Sequence, residues 1–445
     1  MSSGLAVAVR ELRHLPAVWR APRRDPEVTR RLALDGINEM LAFCRANVAY
    51  FQEYPAALGS LAELAELPTL TKRQVLDAGV EAFYAPVGEY RTDVTSGTTG
   101  TRLSIRHDVG AYGYHGATVL RRFLRSGYRP WWRIAHIKPF PRPVRWFQRL
   151  GLFPRTVVSA GQPEAEIARQ VLAVRPNLIM GYPVVLRAIL RNLDDAELAR
   201  LRRSLRMVMT DSELLTDEVA QLLTDRFGVP VFDEYSAYEV LTVSTGCSAG
   251  GMHVDEDRVW LEILGDDGRP VPDGTVGSVV VTHFRERAMP LPRYQLGDRA
   301  MIVPGECSCG NRFRRMKLAD GRTNAFITLP GGRQVYSGVF LSLAMYAPGV
   351  AECMIRQDAA GDITVHLVPE EPTDAGYAAA TRSFEAKFHE LVGVSVALRF
   401  VRTDRIELTP GGKGRFVESE FSPARPTAPK SAADPEPSAV GEKTG

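Results

Sequence analysis

Thr92 to Ile105 reads TDVTSGTTGTRLSI, and between Val94 and Leu103 it holds only hydroxyl residues, glycines and one arginine. Such a loop buries almost nothing. Hydroxyls and backbone N–H groups that packing does not need make anion ligands, and glycine lets the backbone approach closely. A phosphate cradle is one reading and a solvated turn is the other. It is not a Walker-type loop, because no Gly-Lys-Ser/Thr follows four residues after a first glycine. A second group is Cys247, His253, Cys307 and Cys309. Three cysteines and a histidine are a common structural zinc set, although CSCG spaces two of them more tightly than usual. Unpaired thiols in turns beside a surface histidine are the alternative. Cys44 and Cys353 lie in apolar patterns and read as core. A third feature, TPGGKGR, surrounds Lys413 with glycines. It suits either a surface turn or a flexible arm that carries charge into a cleft.

The elements that must position these groups follow from periodicity. The chain has 445 residues, so two or more domains are expected. Residues 1–75 read as helical, with Leu34, Ile37, Met40, Leu41 and Cys44 at helical spacing. From about 76 to 320, apolar runs such as PNLIMGYP and RMVMTDSE alternate with the helical segments VVLRAILRNL and LLTDEVAQLLTDRF. This alternation predicts α/β layering with partly parallel sheets. The stretch VWLEILGDDGRPVPDGTVGSVVVTHF changes to period-2 runs around turn residues, which predicts antiparallel hairpins. Residues 325–420 form a smaller α+β unit with a hairpin around DAAGD, a helix over YAAATRSFEAKFHELV and a strand VALRFV. The tail from Ser422 is rich in Pro, Ala, Ser and charge and is expected to be disordered.

Composition excludes several classes. Hydrophobic residues make up 45% and charged residues 24%, as in ordinary globular chains. A net charge of +3, from 55 basic and 52 acidic residues, gives no argument for a nucleic-acid or membrane partner. No apolar run is long enough for a transmembrane helix. The N-terminal GLAVAV is too short for a signal peptide. Five cysteines do not make a disulfide framework, so cytoplasmic residence is the expectation.

The order of further motifs bears on the loop. TSGTTG resembles the phosphate loop of the adenylate-forming enzymes, the superfamily of acyl-CoA synthetases, luciferases and nonribosomal adenylation domains. Downstream, FDEYSAYE, RYQLGD, GRTNAFITLPGGRQVY and TPGGKGR resemble four later motifs of that superfamily, in its order. MTDSELLTDEV, GCSAGGMHVDEDRVWLEIL and CSCGNRF resemble the phenylacetate–CoA ligase branch, which includes capsule-synthesis and coenzyme F390 synthetase relatives. The resemblance covers about residues 30–420. It implies a large N-terminal adenylation domain of layered sheets and helices over 1–322, a small mobile α+β C-terminal domain over 323–421, and a tail over 422–445.

It also implies an activity and a site. An AMP-forming ligase converts a carboxylic acid, aromatic by this branch, into an acyl-adenylate with release of pyrophosphate. It then transfers the acyl group to a thiol, with CoA the first expectation. A carrier protein, an amine or a hydroxyl is the alternative acceptor, and a non-catalytic nucleotide-binding scaffold is the alternative class. By the resemblance, Thr95, Ser96, Gly97, Thr98, Thr99 and Gly100 hold the ATP phosphates and Glu239 binds Mg²⁺. Ser212, Glu213 and Tyr235 line the adenine, Asp298 accepts the ribose hydroxyls, and Arg322 reaches ribose or phosphate. Lys413 is the catalytic cation and Asn324 the hinge. Related chains carry similar Cys and His residues, which favours zinc. The chain departs from the pattern at Thr101 and Arg102 after the loop, at Ser236 and Tyr238, at Asn324, and at Phe416. The acid pocket is not legible. Candidate walls are Tyr112, Tyr114, His115 and the segment WWRIAHIKPF, in which Arg133 or Lys138 would attract a carboxylate.

Overall fold

The computed structural model describes residues 12–94, 103–139, 144–320, 326–329, 332–336, 339–340, 343, 347–393, 396–404, 406 and 417–419. Helix α1, Pro26–Asn47, starts where Asp25 accepts a hydrogen bond from the Glu27 N–H and Pro26 pre-sets the first turn. Its apolar stripe buries Ile37, Met40, Leu41 and Cys44. A short helix α2, Lys72–Asp77, follows and is closed by a capping box between Thr71 and Gln74. Strands β1, Tyr90–Val94, and β2, Ser104–Asp108, then form a two-stranded hairpin in which Val94 faces Ser104. Helix α3, Val109–Arg125, begins at once because the Asp108 carboxylate accepts from the Gly110 and Ala111 N–H groups.

The chain then alternates strand and helix. The strands are β3, Ile134–Lys138; β4, Arg155–Ser159; β5, Leu178–Gly181; β6, Met207–Asp211; and β7, Val231–Ala237. The helices between them are α4, Trp146–Arg149; α5, Glu164–Val174; α6, Pro183–Arg191; α7, Asp195–Ser204; and α8, Asp217–Phe227. These strands pair in parallel in the order β4-β3-β5-β6-β7. β5 and β6 are buried along their length, as strands covered on both faces must be.

After β7 the direction changes. β8, Leu241–Gly246, returns antiparallel, and β9, Met252–Val254, β10, Val259–Leu264, β11, Gly277–His283, β12, Tyr294–Val303, and β13, Arg315–Asp320, complete the sheet. The result is one 11-stranded sheet, ordered β10-β11-β12-β13-β9-β8-β7-β6-β5-β3-β4. The parallel layering and antiparallel hairpins read from sequence are thus two halves of one mixed α/β sheet, joined at the β7–β8 turn.

Strands β14, Phe326–Thr328, and β15, Gln334–Tyr336, form a small pair. Strands β16, Val350–Gln357, β17, Ile363–Pro369, β18, Leu398–Arg402, and β19, Val417–Ser419, form a separate four-stranded sheet. Helix α9, Asp374–Val392, packs on that sheet through Phe384 and Phe388 and stops at Gly393, whose φ is +70°. Gly161, two residues beyond β4, lies so close to α9 that an added Cβ would sit 2.4 Å from the Leu391 carbonyl oxygen. Arg333 donates to the Gly161 carbonyl at the same place. Among the described residues, no helix is long and apolar enough to cross a membrane. The tail over 422–445 lies outside the described residues.

Candidate functional site

The C-terminal ends of the parallel strands and the β7–β8 turn gather several of the residues singled out above. β6 ends at Asp211, and Ser212 follows in the left-handed region at φ +69°. Its hydroxyl donates to Asp211 Oδ1 at 2.7 Å, and the Lys138 ammonium at the end of β3 donates to the same oxygen at 2.7 Å. Burial disfavours charge on Asp211, but the Lys138 cation outweighs it and holds the carboxyl well below its usual range. Lys138 also lies 4.8 Å from the centre of the Tyr182 ring. Glu213 accepts from the Val184 N–H at the start of α6, so its carboxylate caps that helix. One strand over, burial pushes the Asp233 carboxyl up to about 7.

Tyr235 and Asp298, 63 residues apart in sequence, meet across β7 and β12. The tyrosine hydroxyl donates to Asp298 Oδ2 at 2.9 Å. Tyr235 itself is a buried member of the core under the antiparallel half, so packing fixes the ring that orients the carboxylate. Glu239 sits in the turn between β7 and β8, half-buried, and its Oε1 accepts from the Tyr294 hydroxyl at 3.4 Å.

That turn is held from behind by residues the sequence did not single out. His107, on β2, places Nε2 2.9 Å from the Tyr238 carbonyl oxygen and Nδ1 2.9 Å from Glu286 Oε2. Arg258 Nη1 donates to the Val240 carbonyl at 3.0 Å. The carbonyls on both sides of Glu239 are therefore pinned. The other Glu286 oxygen accepts from the Asp108, Arg287 and Ala288 N–H groups. Burial opposes charge on His107, yet the hydrogen bond and charge of Glu286 outweigh it and raise the imidazole above its usual range. Burial raises Glu286 as well, and both shifts keep the proton in the bridge. Beneath lie Arg121 with Asp255 and Asp257, and the ion pair of Arg122 with Glu234. No periodicity or motif could have revealed these pairs, since their partners come from distant elements.

The phosphate-loop residues Thr95, Ser96, Gly97, Thr98, Thr99 and Gly100 lie outside the described residues, as do Arg322, Asn324 and Lys413. The hairpin of β1 and β2 flanks the loop. Of the acid-pocket candidates, Tyr114 is tied to buried Asp257 through its hydroxyl, and His115 is half-buried, with its charge disfavoured first by desolvation. Arg133 precedes β3, at the opposite end of that strand from Lys138, and donates to the carbonyls of Val174 and Arg175. It is therefore remote from this site and serves as a clamp on the end of α5.

Cys247, His253, Cys307 and Cys309 converge, with one ligand atom from each within 4.8 Å of all the others. Cys247 and Cys307 sulfurs are 3.6 Å apart, and Cys309 Sγ is 3.3 Å from His253 Nε2. His253 Nδ1 meets the Phe313 carbonyl at 2.8 Å, which assigns the proton to Nδ1 and leaves Nε2 facing the sulfurs. Each cysteine turn closes on a glycine three residues later, Gly250 at φ +78° and Gly310 at φ +75°. The tight CSCG spacing works because Cys309 points to the histidine while Cys307 points to Cys247. Cys44 and Cys353 are buried in apolar surroundings, as expected.

No family model matches the chain. It is 25% identical over 330 residues to phenylacetate–coenzyme A ligase of Thermus thermophilus, covering 68% of this chain and 73% of that protein. It is also 25% identical to protein CapK of Staphylococcus aureus, covering 55% of this chain and 53% of that protein. Among solved structures, a 2-hydroxyisobutyryl-CoA ligase in complex with its acyl-AMP and CoA superposes with a TM-score of 0.60 at 17% identity, over 90% of this chain and 92% of that one. That likeness establishes the fold. With this fold, the chain is similar to the phenylacetate–coenzyme A ligases over about two thirds of its length.

Proposed function

We propose that the chain is an AMP-forming acid–CoA ligase. A carboxylate oxygen attacks the α-phosphorus of ATP and pyrophosphate leaves. The CoA thiolate then attacks the acyl carbon and AMP leaves. The observation that carries this reading is the double link of β7 and its following turn to β12, Tyr235 to Asp298 and Tyr294 to Glu239, in a chain whose relatives are phenylacetate–CoA ligases. The Asp298 carboxylate suits a ribose diol, because a carboxylate accepts several hydrogen bonds. The loop 95–100, between β1 and β2, suits the phosphates. Ser212 and Glu213 stand beside β7, next to the strand that carries Tyr235, and suit the adenine edge. Arg322 adds a cation toward ribose or phosphate.

Glu239 suits Mg²⁺, since Tyr294 occupies one oxygen and leaves the other for a hard cation. Magnesium bound there would neutralise phosphate charge as pyrophosphate departs. We assign Zn²⁺ to the Cys₃His cluster, where a tetrahedron with metal–sulfur bonds of about 2.3 Å has sulfurs about 3.8 Å apart, close to the 3.6 Å found. The site is structural, because four protein ligands leave no open position. The domain boundary near 322, the hinge at Asn324 and the swing of Lys413 complete the reading. An aromatic acid as substrate and the cytoplasm as compartment belong to the same proposal.

The test is ATP–pyrophosphate exchange with a panel of aryl and alkyl acids, followed by CoA-dependent release of AMP. Exchange that depends on an acid supports the reading. A folded protein that exchanges with no acid in the panel refutes it. Exchange without CoA turnover, but with a carrier protein as acceptor, would move the second step to that acceptor.

A further inference from the structure

The parallel strands β4 to β7 present their C-terminal ends to the site above, and the opposite face has a different character. There the strands begin and the helices end. No Asp or Glu occurs anywhere from Val109 to Pro163. Arg129 and Arg149 are exposed on this face. Arg133 donates to the carbonyls ending α5, and Arg202 to the carbonyls of Asp225 and Arg226 near the end of α8. Arg206, before β6, donates to the Arg203 and Leu205 carbonyls. Among the described residues, none of these five arginines forms an ion pair with a carboxylate. Helix dipoles account for cations at helix ends, but not for the apolar side chains beside them.

Trp131 is 62% exposed, Leu150 69% and Leu152 44%. The backbone is built to present them. Gly151 at φ +78° and Phe153 at φ +52° both sit in the left-handed region, which an aromatic residue adopts only under constraint. This turns the Phe153 ring inward, stacked on Tyr128 at 5.6 Å, and leaves the two leucines outside. The Phe153 N–H donates to the Pro130 carbonyl, which ties the leucine turn to the tryptophan segment.

We propose that this face rests on an anionic membrane surface. Trp131, Leu150 and Leu152 enter the headgroup region, and the surrounding arginines pair with lipid phosphates. The near-neutral total charge conceals this, because it averages the acid-free stretch 109–163 with acidic segments elsewhere. Arginines alone would meet the phosphates of a nucleic acid, whereas a turn that pushes leucines outward needs an apolar medium. The opposite end of the sheet stays open to substrates in this pose.

The experiment uses the full-length chain and sedimentation with phosphatidylcholine vesicles, with and without phosphatidylglycerol. Binding should require the anionic lipid and weaken as salt rises. Arg129→Ala together with Arg149→Ala should lower partitioning about 25-fold, at about fivefold per arginine near the surface. Leu150→Ser with Leu152→Ser should lower it as well, while thermal unfolding stays unchanged in both variants. Absence of binding, or equal binding to neutral vesicles, overturns the proposal. So does a leucine variant that binds as well as wild type, because the apolar side chains then do not enter the headgroup region.

Discussion

Replacing Cys307 by serine tests the zinc assignment most directly. Cys307 lies between β12 and β13, and its partners Cys247 and His253 lie beyond β8 and in β9. The cluster therefore ties three neighbouring segments of the antiparallel half. Structural zinc sites bind with about 10–16 kcal/mol, so one of four ligands accounts for roughly 3 kcal/mol. Spread over the unfolding entropy of a body this large, that shifts Tm by roughly 4–5 °C. Protein purified under reducing, chelator-free conditions should carry about one zinc per chain. Cys307→Ser should lose most of it and melt earlier, as measured by elemental analysis and calorimetry. Cys353→Ser should keep its metal, because Cys353 is buried in the separate four-stranded sheet. Wild-type protein without metal, or a Cys307→Ser protein with wild-type metal content and Tm, refutes the assignment.

Asp298→Ala should raise the KM for ATP about 10- to 100-fold, the loss of a charge-assisted pair of hydrogen bonds at roughly 1.5–3 kcal/mol. Tyr235→Phe should raise it only about fivefold, since its hydroxyl orients Asp298 at a net value of about 1 kcal/mol; equal effects would remove Tyr235 from a positioning role. His107→Gln should increase the Mg²⁺ concentration needed for half-maximal rate, because it loosens the turn that carries Glu239, and an unchanged Mg²⁺ titration contradicts this. The raised imidazole also sets a pH dependence. Its stabilising contribution is complete below the ordinary histidine pKa and is lost as pH rises through the higher folded value. Denaturation midpoints of wild type and His107→Gln should therefore converge as pH increases. Lys413→Ala should slow adenylate formation about 10²- to 10³-fold while sparing the reaction of supplied acyl-adenylate with CoA, as read by separate half-reaction assays.

Local pattern carried much of the architecture. The short apolar runs of PNLIMGYP and RMVMTDSE, alternating with helical segments, place β5 and β6, and the helix over YAAATRSFEAKFHELV is α9. Run length and alternation carry the strands, because both of their faces are covered and no period marks them. The cysteine–histidine set was also legible, because ligand types at short spacings constrain where the turns can go. Charge pairing was not legible. In HVDEDRV, Asp255, Glu256, Asp257 and Arg258 are all buried. Burial of such groups requires partners, and those partners are Arg121 from α3 and Arg314 from before β13. Only the tertiary fold decides which guanidinium reaches which carboxylate, because the pairing depends on strand order. The same holds for His107, which reaches the Tyr238 carbonyl across 131 residues of chain, and for Arg133, whose place at the wrong end of β3 separates it from Lys138. Sequence fixes residue types and local periods; the order and direction of eleven strands determine which of those residues share an end of the sheet.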